Sequence, residues 1–306
     1  MTFLWIVLAL AFGVLLRRLP VSASGLARAL NQYVLWVSLP ALTLSMGVSM
    51  PLSWQILLPA SVAWCGFFWA WLWVRWGSAR FQWDRATTAC LLLTCGLGNT
   101  SFVGFPLIRS LYGEEHLWIA LLIDQPGSFL VLSTLGLMAA TYYAEANAGG
   151  FRVKDMLHRI GRFPPFLSFA LALLLNALQV QWPVLPGALL QALGATLTPA
   201  ALIAVGLQLQ WQATRQYRQA IVFGLGYRLG IAPLLVWAIY GGLLAVRGPL
   251  LGVSVLEAGM APMITASIVA AGLGLNPPLA SAMVSVGIAC SLVTVPLWFL
   301  LLQGWS

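Results

Sequence analysis

The chain has 306 residues, 61% of them hydrophobic and only 7% charged, with a formal net charge of +8. Soluble domains carry about 25% charged residues, so this composition excludes a water-soluble fold and leaves a polytopic membrane protein. Cys65, Cys90, Cys95 and Cys290 match no zinc or redox spacing and read as inert core thiols. His116 and His158 fall in predicted loops, so no metal or cofactor is expected.

The first apolar run, 3–16, has no basic residue before it and Arg17 and Arg18 after it. That is the reverse of a secretory leader and reads as a retained span with its N-terminus outside. Nine further runs follow at 31–49, 54–75, 86–111, 116–141, 164–180, 187–209, 219–246, 251–272 and 278–302, the first and sixth of the ten being short for a crossing of about 20 residues. With this count the inside loops hold Arg17, Arg18, Arg28, Arg75, Arg80, Arg85, Arg152, Lys154, Arg159, Arg162, Arg215 and Arg218, which is 12 of the 15 basic residues. Arg109 and Arg247 fall outside and Arg228 within a span. Such asymmetry sets orientation and predicts both termini on the outer side. The positive charge then serves orientation and contact with lipid headgroups, not nucleic acid. Trp54, Trp73, Trp76, Trp118, Trp211 and Trp298 lie near span ends and read as an interfacial belt.

The longest inside loop, 142–163, divides the chain into 1–141 and 164–306, with five spans in each. An odd number of spans per half inverts one half relative to the other, the sequence geometry of an inverted-repeat transporter. SLPALTLSMG around Pro40 resembles LTPAALIAVG around Pro199, and the break before Pro106 matches AGMAP at Pro262. The predicted fold is therefore all-α: ten transmembrane helices in two inverted five-helix repeats.

Spans four and nine are interrupted. CGLGNTSFVGFPLIRSLYG, from Cys95 to Gly113, breaks at Gly98 to Ser101 and again at Gly104 to Pro106, and span nine breaks at Gly259 to Pro262. Proline removes a donor and disrupts the helical ladder. Freed backbone groups survive at membrane depth only where they are buried in protein or line a cavity. One kink would read as interhelical packing by small polar residues; two at matching places in inverted halves point to a binding site where the broken helices cross. Asn99, Thr100, Ser101, Thr265 and Ser267 would present donors and acceptors there. Asp124, Arg228 and Glu257 lie within spans, at a cost of about 2.5–3.5 kcal/mol each on insertion scales. Either Arg228 pairs with Asp124 or Glu257, or Arg228 attracts an anion while a carboxylate carries a coupling ion.

These segments resemble the auxin efflux carrier family, related in fold to bile acid:sodium symporters. The resemblance rests on GNTSFVGFPLIRSLYG, EAGMAPMITASIVAAGLGLNPPLA, SLVTVPLW and SLPALTL and extends over the whole chain. It implies a scaffold of spans one, two, six and seven, and a mobile unit of the others whose movement carries a crossover site between the two sides. It implies a secondary transporter of a small organic anion, such as malate, malonate or an indole-acetate-like acid. Asn99 and Pro106 would mark the first crossover and Pro262 the second. Ala261 stands where the family often has a first proline, and the linker is short beside plant members, which points to a bacterial-type carboxylate carrier in the inner membrane. The substrate set is then Asn99, Thr100, Ser101, Pro106, Arg228, Pro262 and Thr265, and the ion-coupling pair Asp124 and Glu257, with proton or sodium as coupling ion. The resemblance also allows a homodimer through the scaffold. The alternative is a sodium or proton antiporter of related fold, although adjacent aspartates are lacking. Without a Ser/Lys or Ser/His pair, adjacent aspartates or an HExxH motif, no enzyme is expected.

Overall fold

A computed structural model describes residues 3–18, 23–51, 56–144, 153–211 and 213–304. Trp54, Arg152 and all of AEANAGG after its first residue, Ala144, lie outside them. In chain order the helices are α1 (Phe3–Leu16), α2 (23–47), α3 (Leu57–Phe81), α4 (Arg85–Gly96), α5 (100–112), α6 (Glu114–Tyr143), α7 (Val153–Ile160), α8 (Pro164–Ala177), α9 (Val184–Gln208), α10 (Arg218–Leu243), α11 (Gly248–Ala258), α12 (Ile264–Gly272) and α13 (Pro277–Gln303). Among the described residues, α3, α6, α9, α10 and α13 are each long and apolar enough to cross a membrane unbroken. The other apolar segments are shorter or interrupted.

Several boundaries differ from expectation. α2 begins eight residues before the predicted 31, because Ala23–Tyr33 is an amphipathic helical stretch that an average over apolarity passes over. The linker carries α7, which places His158 on a helix; its apolar residues Val153, Leu157 and Ile160 recur at helical spacing. Trp298 is half-buried, and its indole donates to the Leu229 carbonyl at 2.9 Å. Pro233 leaves that carbonyl without its α-helical donor, so this tryptophan repairs a kink.

Packing sorts the helices into two groups. α1 packs on α9, α8 on α2, and α2 on α9. α3 packs on α4 and α6, α12 on α13 and α4, and α10 on α11 and α13. The proline bends of α2 and α9 meet where Ser38 Oγ and Tyr33 Oη approach Thr196 Oγ1 at 2.8 and 2.9 Å. Asn176 on α8 donates from Nδ2 to the Gly47 and Met50 carbonyls, both at 2.8 Å, closing the C-terminus of α2. Asn176→Ala should lower unfolding free energy by about 2 kcal/mol, since both carbonyls lose a donor; the apparent melting temperature in detergent measures it.

Candidate functional site

Two interruptions cross in the middle of the second group. α4 begins with Asp84, whose carboxylate accepts from Thr87 N–H at 2.8 Å, a strong N-cap. It stops at Gly96, and the chain runs extended through Leu97. α11 stops at Ala258, and the chain re-enters a helix at Ile264. The unwound segments pair with each other. Asn99 N–H donates to Ala261 O at 2.7 Å and Met263 N–H to Leu97 O at 2.9 Å, flanking an antiparallel bridge of Gly98 with Pro262. In an antiparallel pair both bonds of such a bridge come from neighbouring residues, so the N–H that Pro262 lacks is not needed. Each break thus supplies partners that the other lost, as membrane burial requires.

The second break expected at Gly104 to Pro106 is not present. α5 runs unbroken from Thr100, as a π turn over Thr100–Gly104 that becomes α-helical at Phe105. Widening the ladder by one residue places Pro106 near the start of a new α-helical stretch, where its missing N–H has no cost.

Asn99 caps α5: its Oδ1 accepts from Phe102 N–H at 3.1 Å, while its Nδ2, buried, has no partner. Thr100 Oγ1 donates to Asp124 Oδ1 at 2.5 Å, Ser101 Oγ donates to the same oxygen, and Gln125 Nε2 donates to Oδ2 at 2.6 Å. Asp124 sits on a π turn of α6, Ile123–Phe129, and Arg228 on one of α10, Tyr227–Ile231. Such turns gather at functional sites, because they rotate one side chain out of helical register.

Asn99, Thr100, Ser101, Asp124 and Thr265 line one cavity of about 280 Å³, together with Phe102, Phe129, Phe163 and Ser133. Its walls are mostly apolar, and Phe163, at the end of the linker, stacks on Phe129 with ring centroids 3.9 Å apart. The N-termini of both re-entering helices, α5 and α12, border it. The hydroxyl of Ser133, fully buried, has no partner. Sequence reasoning missed Ser133, although Pro126-Gly127, two residues beyond Asp124, is a third proline–glycine pair and marked this part of α6. Ser267 is buried and does not line the cavity.

Arg228 stands elsewhere. Its guanidinium donates to three main-chain carbonyls: Met260 at 2.9 Å, Glu257 at 3.1 Å and Cys95 at 3.4 Å. These lie at the C-terminal ends of α4 and α11, where carbonyls lack helical donors and the helix dipoles are negative. Among the described residues no ion pair joins Arg228 to Asp124 or Glu257; the nearby Glu257 atom is its backbone oxygen. Gly98 lies against the guanidinium, and a Cβ there would collide with it. Arg228 and Glu257 border a second, smaller cavity of about 10 Å³, on which Thr100, Ser128 and Gly98 also open. Both carboxyl oxygens of Glu257 are buried without a partner. Pro106 is buried within α5, and Pro262 is taken up by the bridge.

The membrane transport protein family matches residues 1–150 and 151–299 of the chain. The chain belongs to this family, that of the auxin efflux carriers. An uncharacterized transporter of Methanothermobacter thermautotrophicus is 28% identical over 98% of this chain and 97% of its own length. An uncharacterized transporter of Methanocaldococcus jannaschii is 25% identical over 91% of this chain and 89% of its own. A carrier of this family is an integral membrane protein, as the five long apolar helices require.

Proposed function

We propose that the protein is a secondary active transporter of a small organic anion, bound in the cavity beside the crossover. The observation that carries this reading is the convergence on one cavity of two helix N-termini with the unpartnered donors Asn99 Nδ2 and Ser133 Oγ. Helix N-termini and free N–H and O–H groups stabilise a carboxylate without a full positive charge beside it. The apolar and aromatic wall would hold the body of the substrate. Arg228 would act by holding the crossover together, while Pro106 and Pro262 shape it.

The same reading takes the chain as ten crossings in two inverted repeats, 1–141 and 164–306, joined by the 142–163 linker. In its support, α1 packs on α9 as α8 packs on α2, the two interruptions pair, and the family matches the chain in two stretches that meet inside the linker. α1, α2, α8 and α9 would be the scaffold and also the face for a homodimer. The remaining helices would move past it as an elevator, with both termini on the outer side of a bacterial inner membrane. The cavity reaches Phe163, next to the linker. A separate cleft of about 590 Å³, between α2, α9 and the start of α6, is lined by Ser45, Glu114, Glu115 and Gln191 and by none of the crossover residues. Such a separation would suit a carrier whose site faces one side at a time.

Asp124 in the cavity wall favours a second reading, a sodium or proton antiporter. One experiment separates them. The purified protein is melted with a panel of mono- and dicarboxylates, at two pH values, with sodium or potassium. A ligand at 100 times its Kd raises stability by about 2.7 kcal/mol, a shift of several degrees for one carboxylate in the panel. Stabilisation by sodium or pH alone, with every carboxylate silent, would replace the anion carrier with the antiporter.

A further inference from the structure

Asp124 and Glu257 are both fully buried, yet their surroundings are opposite. Three donors converge on the Asp124 carboxylate and none on either oxygen of Glu257. A proton shared between the two is therefore held at Glu257 in this conformation, because a bare carboxylate without donors is the costlier charge to bury. Thr100 belongs to both environments. It lines the substrate cavity with Asp124, and it lines the smaller cavity with Glu257. Its hydroxyl already points its proton at Asp124. The smaller cavity, at about 10 Å³, has room for one water molecule and polar groups in its lining to hold it.

We propose that Glu257 stores the coupling proton of this carrier and passes it to Asp124 through one water and the Thr100 hydroxyl. Glu257 gives its proton to the water, the water gives one of its own to Thr100 Oγ1, and Thr100 gives its original proton to Asp124 Oδ1. One proton moves, and no other bond changes. A metal cation in the same cavity would face the Arg228 guanidinium on its wall, so the site takes a water and a proton and not sodium. The charged groups around Glu257 are Asp124 on α6 and Arg228 on α10; α3 presents only Val62, Ala63 and Gly66.

The relay explains how a carboxylate can line an anion site. Protonated Asp124 no longer repels the anion at the N-terminus of α5, so the anion and the proton occupy the substrate cavity together. This coupling rests on the organic-anion reading above, whereas the relay can be tested without any substrate.

Infrared spectroscopy of the purified full-length chain, transferred from H2O to D2O, reads the relay directly. The wild type should show a protonated-carboxyl stretch that is lost in Glu257→Gln and kept in Asp124→Asn. Its deuterium shift should slow by roughly 100-fold in Thr100→Val, the lower range for removal of a positioned proton-transfer group. Asp124→Asn should slow it likewise, and Thr100→Ser should restore it. Exchanging sodium for potassium should leave the band unchanged. A band that survives Glu257→Gln, deuterium exchange in both Thr100→Val and Asp124→Asn as fast as wild type, or a sodium-specific loss of the band would each overturn the proposal. No organic anion is present in these measurements, so a silent carboxylate panel and a failed relay are separate results.

Discussion

Arg228→Ala should destabilise the protein by about 3–5 kcal/mol, because three buried carbonyls lose a charged donor at once. The carbonyls of Cys95, Glu257 and Met260 belong to both interrupted helices, so the loss falls on the joint between them. Unpaired carbonyls in a membrane interior have no water to turn to. The expected result is a lower melting temperature in detergent and a lower yield of folded protein. Arg228→Lys should recover less than half of the loss, since an ammonium is a point charge and does not span three acceptors as the planar fork does. Unchanged stability, with selective loss of stabilisation by a carboxylate, would mean that Arg228 holds the substrate and not the crossover.

Asn99→Asp should separate binding from folding. Its carboxylate keeps an acceptor for Phe102 N–H, so the cap of α5 is preserved. It loses the unpartnered Nδ2 donor and adds a negative charge to the cavity wall. A hydrogen bond to a charged group contributes about 1.5–3 kcal/mol, so the apparent affinity for the stabilising carboxylate should fall at least tenfold, while the ligand-free melting temperature falls only by the cost of the added buried charge. Retained carboxylate binding would move the anion away from α5. Asn99→Ala should cost about 1 kcal/mol of stability besides, through loss of the cap.

Much of this molecule can be read along the chain. The apolar content requires a membrane, and the glycine and proline clusters at Gly98 and at Gly259 to Pro262 marked both interruptions to within a few residues. Asn99, Thr100, Ser101 and Thr265 stood out because small polar residues are conspicuous in an apolar run. Asp124 stood out for the same reason, but its partners did not: the hydroxyls of Thr100 and Ser101 on α5 are 24 and 23 residues away in sequence and adjacent in space. Pro106 misled for a local reason, since a π turn absorbs a proline that an α-helix would not, and nothing in FVGFP distinguishes the two ladders. The helix over Val153–Ile160 is hard to read from the sequence because its apolar stripe is short and interleaved with Lys154, Asp155, His158 and Arg159.

The sequence by itself determined that the chain lies in a membrane, that helices are interrupted at Gly98 and at Gly259 to Pro262, and that Asp124, Arg228 and Glu257 are buried, because each of these depends on the local cost of placing a residue type in hydrocarbon. Only the tertiary structure decided that the two interruptions satisfy each other's backbone, that Arg228 serves carbonyls and not a carboxylate, and that Thr100 lines both the cavity of Asp124 and the cavity of Glu257. Those outcomes depend on which donor reaches which acceptor across helices far apart in the chain. A buried polar group accepts whichever partner the packing brings within reach, and residue type alone does not name it.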